Sequence, residues 1–304
     1  MKIQYIKHKE IDKSRWDEAI DQAPNGRIYA YSWYLDAMTA NQWDALIGGD
    51  YEYIMPLPWK NRYGISYLIT PYFVQQLGVY SLKELTPDVF VRFIDAIPFK
   101  FRYINLNINY PDSIAGTKAT FTQKRRTNYT LDINRDYDAI AAGYSRNVSR
   151  ILKTELDCQL IESDNLKNSI AIYQHKIATK TANNSPIAFE RLLQASITAQ
   201  SHKQLLPVEL VDSQGKVLAA FIFFLSHGRI YYIAGTQTPE GKAVHATYRL
   251  INELFRKYSR THKIFDFEGS DIPGVAEFFR KWGSIPEYYT HIECFKFPTY
   301  WVKR

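Results

Sequence analysis

Three groups of residues have the types and spacing to do chemistry. Thr238-Pro-Glu-Gly-Lys-Ala243 stands between a strand-like run and a long helix-like run. The first N–H groups of a helix are unpaired and its dipole favours anions, so a loop of this kind suits a phosphate. A plain glycine-containing turn into a helix accounts for the same residues. The second group is basic: Lys124, Arg125 and Arg126, then Arg146, Arg150 and Lys153. Arg146 and Arg150 are four apart, so on a helix they project together. Guanidinium forks bind phosphate bidentately, although a solvated basic face would read the same way. The third is Glu268, at the end of a short apolar strand, where a carboxylate could take a proton from an amine. Asp266 and Glu268 alternate with Phe265 and Phe267, which equally describes two solvent-facing strand residues.

The elements that must position these groups follow from periodicity and turn signals. Residues 1–9 read as an edge strand and 12–22 as a helix, and Ser32 stands as N-cap of the next helix. Strands at 43–47, 51–59 and 65–70 are separated by Gly48-Gly-Asp50 and Asn61-Arg-Tyr-Gly64. Pro56 and Pro58 argue for an edge or a bulge. Thr86 and Pro87 mark the start of a helix over 87–97, followed by strands at 101–108 and 123–133. A helix over 136–152 puts Ile140, Tyr144, Val148 and Ile151 on one face. Helices at 165–180 and 187–200 precede a meander of strands at 205–211, 217–225 and 229–235. A long helix over 243–259 leads to the strand 264–268. Pro273 then opens a short helix that Gly283 stops, and 288–296 is a last strand.

At 304 residues the chain suits two domains, expected at 1–134 and 135–304. Hydrophobic content of 46% is ample for packed cores. Met1-Lys-Ile-Gln-Tyr-Ile-Lys-His-Lys-Glu has no apolar stretch of signal-peptide type, and no window reaches the length of a membrane span. Cys158 and Cys294 show neither metal spacing nor a disulfide framework, so a reduced, cytoplasmic protein is expected. The net charge of +7 fits anionic partners, whether coenzyme A, a nucleotide-linked sugar, tRNA or an anionic membrane face in peripheral contact, and fits equally a basic protein with no polyanion partner. Histidines are scattered singly, with no metal or triad spacing, and no metal site is expected. Without a P-loop, a Rossmann glycine fingerprint or G-x-S-x-G, nucleophilic hydrolases and dehydrogenases are disfavoured.

Set side by side, the two halves repeat one order of hairpin, strand, helix and strand. Phe265-Asp-Phe-Glu-Gly-Ser, Gly274-Val-Ala-Glu-Phe-Phe279 and Trp282-Gly283 resemble the end of a GNAT-type acyltransferase domain of the Fem-like branch, the aminoacyltransferases of peptidoglycan bridges and related acetyltransferases. The resemblance implies an α/β (α+β) fold of two tandem GNAT-like domains, each a mixed, mostly antiparallel sheet flanked by helices. It implies N-acyl transfer to an amine on a cell-envelope or related precursor, with the donor in the C-terminal domain. Acyl-CoA would lie on a Gln/Arg-x-x-Gly-x-Gly/Ala loop, which Gly241 and Ala243 match, Lys242 supplements and Thr238 departs from. Arg126, Arg146 and Arg150 would contact acceptor phosphates, Glu268 would act as base, and Tyr288 would protonate the leaving group. Aminoacyl-tRNA as donor is the alternative reading, and a non-catalytic binder of an anionic precursor is another.

Overall fold

The protein is described by a computed structural model, in which residues 1–110, 112, 114–163, 165–178, 185–269 and 271–296 are described. It divides into two compact units, Met1–Arg126 with Tyr288–Arg304, and Thr127–Glu287. Each unit builds the same succession of elements. In the first, β1 (Ile3–Ile6), β2 (Trp43–Gly48), β3 (Tyr53–Arg62) and β4 (Ile65–Ile69) pair antiparallel in order, and a two-residue β5 (Tyr80–Ser81) adds to β3. Helices α1 (Lys13–Gln22) and α2 (Ser32–Thr39) lie between β1 and β2 in the chain, and α3 (Pro87–Asp95) leads from β5 to β6 (Phe101–Ile108), which runs parallel to β4.

The second unit repeats this. β8 (Cys158–Glu162), β9 (Leu205–Asp212), β10 (Val217–Ser226) and β11 (Arg229–Gln237) form the antiparallel run. Helices α6 (Leu166–Ala178) and α7 (Pro186–Ser201) sit between β8 and β9 in the chain. The crossover carries α8 (Pro239–Ala243) and α9 (Ala246–Tyr258) to β12 (Ile264–Gly269), which is parallel to β11. The closing strands are exchanged. β7 (Thr122–Asp132) follows β6 in the chain yet pairs antiparallel with β12, and β13 (Ile285–Phe295) follows β12 yet pairs antiparallel with β6. Residues 127–134 therefore group with the second unit and 288–296 with the first, whereas the expected division was a single cut between 134 and 135.

Local chemistry explains most of the boundaries. Thr86 caps α3 by accepting the N–H of Val89, and Pro87 occupies the first turn, as expected. Ser32 is not a cap: it is the first residue of α2, and its N–H and hydroxyl both donate to Asp17. Pro56 and Pro58 lie where β3 has β2 as its one strand partner among the described residues, so they face a locally free edge, as expected. The helix expected over 136–152 is two, α4 (Tyr137–Ala141) and α5 (Arg146–Lys153). Ser145 caps α5, and its N–H donates to Lys281 O at the end of α10 (Pro273–Arg280). The break lies against Gly283, whose φ of +80° only glycine adopts cheaply; a methyl there would sit 2.9 Å from Gly143 O. The edge strand β8 was not expected at all, and the end of the helix expected over 165–180 falls outside the described residues.

Each unit has its own core. In the first, Leu57, Leu68, Phe90, Phe93, Phe101 and Ile104 pack between sheet and α3. In the second, Phe221, Phe223, Phe255, Phe265, Phe267 and Trp282 form an aromatic core between sheet, α9 and α10. Each such side chain contributes roughly 1.5–3 kcal/mol on burial, enough to fix the strands that frame the site.

Candidate active site

The site begins with two parallel strands that part. β11 pairs with β10 along nearly all of its length, but with β12 only at Arg229–Tyr231 against Ile264–Asp266. From Tyr232 to Gln237 its other edge has no strand partner among the described residues. β12 bends away through a bulge between Asp266 and Gly269 in its pairing with β7. Within that bulge Glu268 takes φ +66°, a left-handed conformation costly for a residue with a β-carbon.

The first unit treats the equivalent place differently. Beyond β4, Thr70 N donates to Asn105 O at 3.1 Å and Leu77 N to Asn107 O at 2.9 Å, while Asn109 N bonds to Leu77 O. The segment 70–77 thus occupies the edge of β6 that the second unit leaves open.

A buried charge cluster supports the bulge. Arg229 Nη1 donates to Asp266 Oδ2 at 3.0 Å and to Glu287 Oε2 at 3.0 Å, and Nη2 donates to Glu287 Oε1 at 2.8 Å. The other oxygen of Asp266 accepts the N–H of Glu268 at 3.0 Å. Asp266 is only 1% exposed. It is therefore not a solvent-facing strand residue, as the alternation with Phe265 and Phe267 allowed; it is an ion-paired anchor. Glu268 is half-buried.

The loop 238–243 forms the short helix α8 and does not open into a long one. Thr238 is its N-cap: Oγ1 accepts the Gly241 N–H at 3.1 Å, and Thr238 N donates to Leu218 O at 2.9 Å. Gly241 is buried against β10, where an added methyl would overlap the Leu218 carbonyl oxygen. Packing is thus a sufficient reason for glycine here, and its N–H is already used. Lys242 and Ala243 are exposed. His245, in the left-handed region at φ +55°, ends this turn and starts α9.

Ala243 and His245 border a cleft of about 440 Å³ whose opposite wall is the end of α5, with Arg150, Thr154 and Glu155. Arg249 joins the two walls, donating from Nε to Val244 O at 2.9 Å and from Nη2 to Ile151 O at 3.5 Å. Two guanidinium groups and an imidazole on one cleft make a polar, net basic surface suited to an anion. Arg150 and Ala243, proposed from sequence for separate tasks, line the same cleft. Arg146 lies four residues before Arg150 on α5, exposed.

Arg126 and Tyr288 belong to the first unit. Arg125 Cζ sits 3.3 Å from the centre of the exposed Tyr288 ring, a cation–π contact. Burial pushes the His291 imidazole below its ordinary pKa, and Arg126 and Lys124 reinforce the shift; His291 Nδ1 is 3.0 Å from Asn107 Oδ1. Sequence reasoning missed Arg229, Arg249, His245 and Glu287. For Arg249 the signal was there, six residues after Ala243 and one helical turn beyond His245. For Arg229 and Glu287 no local signal exists. Among the described residues no group of three His, Cys, Asp or Glu side chains is placed to hold a metal, and no helix is long and apolar enough to cross a membrane.

No protein-family model matches the sequence, and a search of curated proteins finds no match. Solved structures match along the whole chain. FemX superposes with a TM-score of 0.71 at 11% identity, covering 100% of both chains. A conserved protein of unknown function from Bacteroides thetaiotaomicron VPI-5482 gives 0.60 at 13% identity, covering 97% of this chain and 100% of that one. L-PGS from Bacillus licheniformis gives 0.56 at 9% identity, covering 96% and 94%. At these identities the likeness is one of fold. The chain has the Fem-like fold, two GNAT-like units of mixed, mostly antiparallel sheet flanked by helices, as expected from its C-terminal motif.

Proposed function

We propose that this chain is an acyl- or aminoacyltransferase whose donor lies in the opening between β11 and β12, with an amine as acceptor. The observation that carries this reading is the parting of the two strands after Tyr231 and Asp266, against the filled edge in the first unit. An extended donor can add to an open strand edge through backbone hydrogen bonds, as a peptide does. Its carbonyl would then lie near the bulge that carries Glu268.

Glu268 is the proposed base. Its carboxylate takes a proton from the acceptor amine, whose lone pair attacks the donor carbonyl. Peptide N–H groups on the free edge of β11 stabilise the oxyanion. The intermediate collapses to an amide, and the leaving thiolate or ribose oxygen takes up the proton that Glu268 removed from the amine. Asp266 and Arg229 hold the bulge that aims Glu268. The cleft of Arg150 and Arg249 holds phosphate of the donor.

Acyl-CoA is the donor we favour, for an extended thioester arm fits a strand edge and its phosphates fit the adjoining arginines. The capped N–H of Gly241 favours a second reading, aminoacyl-tRNA, because that N–H does not offer itself to a pyrophosphate. The acceptor we propose is an amine on an anionic cell-envelope precursor, with Arg146 as a phosphate contact. Isothermal titration with acetyl-CoA, a long-chain acyl-CoA and charged tRNA tests the donor. Binding of a CoA ester that falls about tenfold or more in Arg150→Gln/Arg249→Gln supports the first reading. Binding of charged tRNA alone promotes the second, and heat from none of them contradicts both.

A further inference from the structure

One end of the first unit's sheet presents large apolar side chains to water. Tyr63 is 88% exposed, Phe99 63%, Phe295 56% and Ile65 41%. The register brings Ile65 and Phe295 to this end, and Phe99 lies two residues before the start of β6. β4 and β6 run parallel and begin at this end, while β13 runs antiparallel and finishes there, with Phe295 opposite Tyr103. Tyr67, Tyr103 and Phe295 stand in one row across the three strands. The neighbouring row, Leu68, Ile104 and Cys294, is buried, and its Leu68 and Ile104 lie in the core. Alternation along a strand therefore turns the aromatic row to the opposite face. Tyr103 and Phe295 stack at 4.4 Å, and with Tyr67, Arg62, Tyr63 and Ile65 they line an apolar groove of about 470 Å³.

The tip of the β3–β4 hairpin is unusual in its choice of residue. Tyr63 and Gly64 both have positive φ, +52° and +78°, the two central positions of a turn that ordinarily takes Asn, Asp or Gly. A tyrosine there is 88% exposed and carries backbone strain, so core packing does not account for its ring. Cations stand along this end of the sheet. Arg62 lies over the Tyr63 ring at 5.1 Å and Arg102 over Phe99 at 3.9 Å, and Lys60 stands opposite Tyr67 in the register. Lys60, Arg62 and Arg102 form no ion pair among the described residues. The acids nearby are engaged elsewhere: Glu293 accepts the Tyr103 hydroxyl at 2.7 Å, and Asp44 takes Tyr5 and Lys100.

From this arrangement we infer that the β3–β4 tip and the adjoining ends of β6 and β13 dock on an anionic lipid bilayer. Tyr63, Ile65, Phe99 and Phe295 enter the interface, and Lys60, Arg62 and Arg102 meet the headgroups. Aromatic and aliphatic side chains flanked by basic ones are the composition that binds such a surface. Charge complementarity selects anionic lipid over zwitterionic lipid. A nucleic-acid strand would ask for a basic track along the groove, whereas this groove is walled by apolar side chains.

The test is sedimentation of the full chain with vesicles of phosphatidylcholine alone or with about one-third phosphatidylserine. The chain should bind the mixed vesicles, release them at roughly 0.5 M salt and ignore the neutral ones. Tyr63→Ser/Ile65→Ser should weaken binding about tenfold or more, and Arg62→Gln about fivefold. Unchanged circular dichroism and melting would show that the variants fold. No binding to the mixed vesicles, or binding that survives the double substitution, overturns the proposal. So does vesicle binding lost only when residues 297–304 are removed. If the double substitution abolishes self-association or tRNA binding in a chain that ignores vesicles, the face belongs to a protein or RNA partner and the proposal fails.

Discussion

Arg229 and Asp266 form an ion pair of 3.0 Å across two parallel strands, Arg229 at the first register position of their pairing and Asp266 at the last. Asp266 spends its second oxygen on the N–H of Glu268, so the pair fixes both the end of the pairing and the start of the bulge. Removing Asp266 leaves Arg229 with Glu287 alone and strips the Glu268 N–H of its acceptor. Asp266→Ala should destabilise the fold by about 1–3 kcal/mol in urea unfolding. A loss below about 1 kcal/mol would mean that the cluster does not anchor the strands.

Glu268 separates stability from function. Glycine at that position relieves the left-handed strain, so Glu268→Gly should be more stable than the parent by about 0.5–1 kcal/mol. Without a base its transfer rate should fall about 100-fold or more, as should that of Glu268→Gln. A Glu268→Gln variant with parental turnover would remove Glu268 from the chemistry.

Gly241 packs its backbone against Leu218 of β10. Gly241→Ala should cost about 1–3 kcal/mol in stability, because the Leu218 carbonyl oxygen occupies the space a methyl needs. Donor affinity, measured where the variant is still folded, should change less than stability does. A stable variant that has lost donor binding would return this loop to the role its sequence suggested.

Two histidines set a pH dependence. Burial lowers the pKa of His262 and of His291 below the ordinary 6.5. Each binds a proton more readily unfolded than folded, so its contribution is full above pH 6.5 and is lost as pH falls through the folded-state value. Stability should therefore decline below about pH 6.5, and His291→Asn should flatten part of that decline in melts taken from pH 7.5 to 5. An unchanged slope in the variant would assign the decline to other groups.

Much of the fold was legible because turns and caps are local. Gly64, Gly215 and Gly228 mark hairpins, and Thr86 with Pro87 marks α3. The break between α4 and α5 was not, since Ile140, Tyr144, Val148 and Ile151 stay in helical phase across it. Its cause, Gly283 against Gly143, lies in a distant segment. β8 went unread because its half-exposed residues show no clear alternation. The exchange of β7 and β13 could not be read from either strand alone, for register is a property of pairs. In the site, Arg150 and Glu268 carried visible signals. Arg229 and Glu287 acquire meaning only when folding brings them to Asp266.

Hydrogen exchange with and without the donor that titration identifies locates the donor on the chain. Exchange should slow at the amides of 232–237 on β11 and 267–269 at the bulge, with little change at 66–79 in the first unit. Slowed exchange at 66–79 with none along β11 would contradict a donor site between β11 and β12.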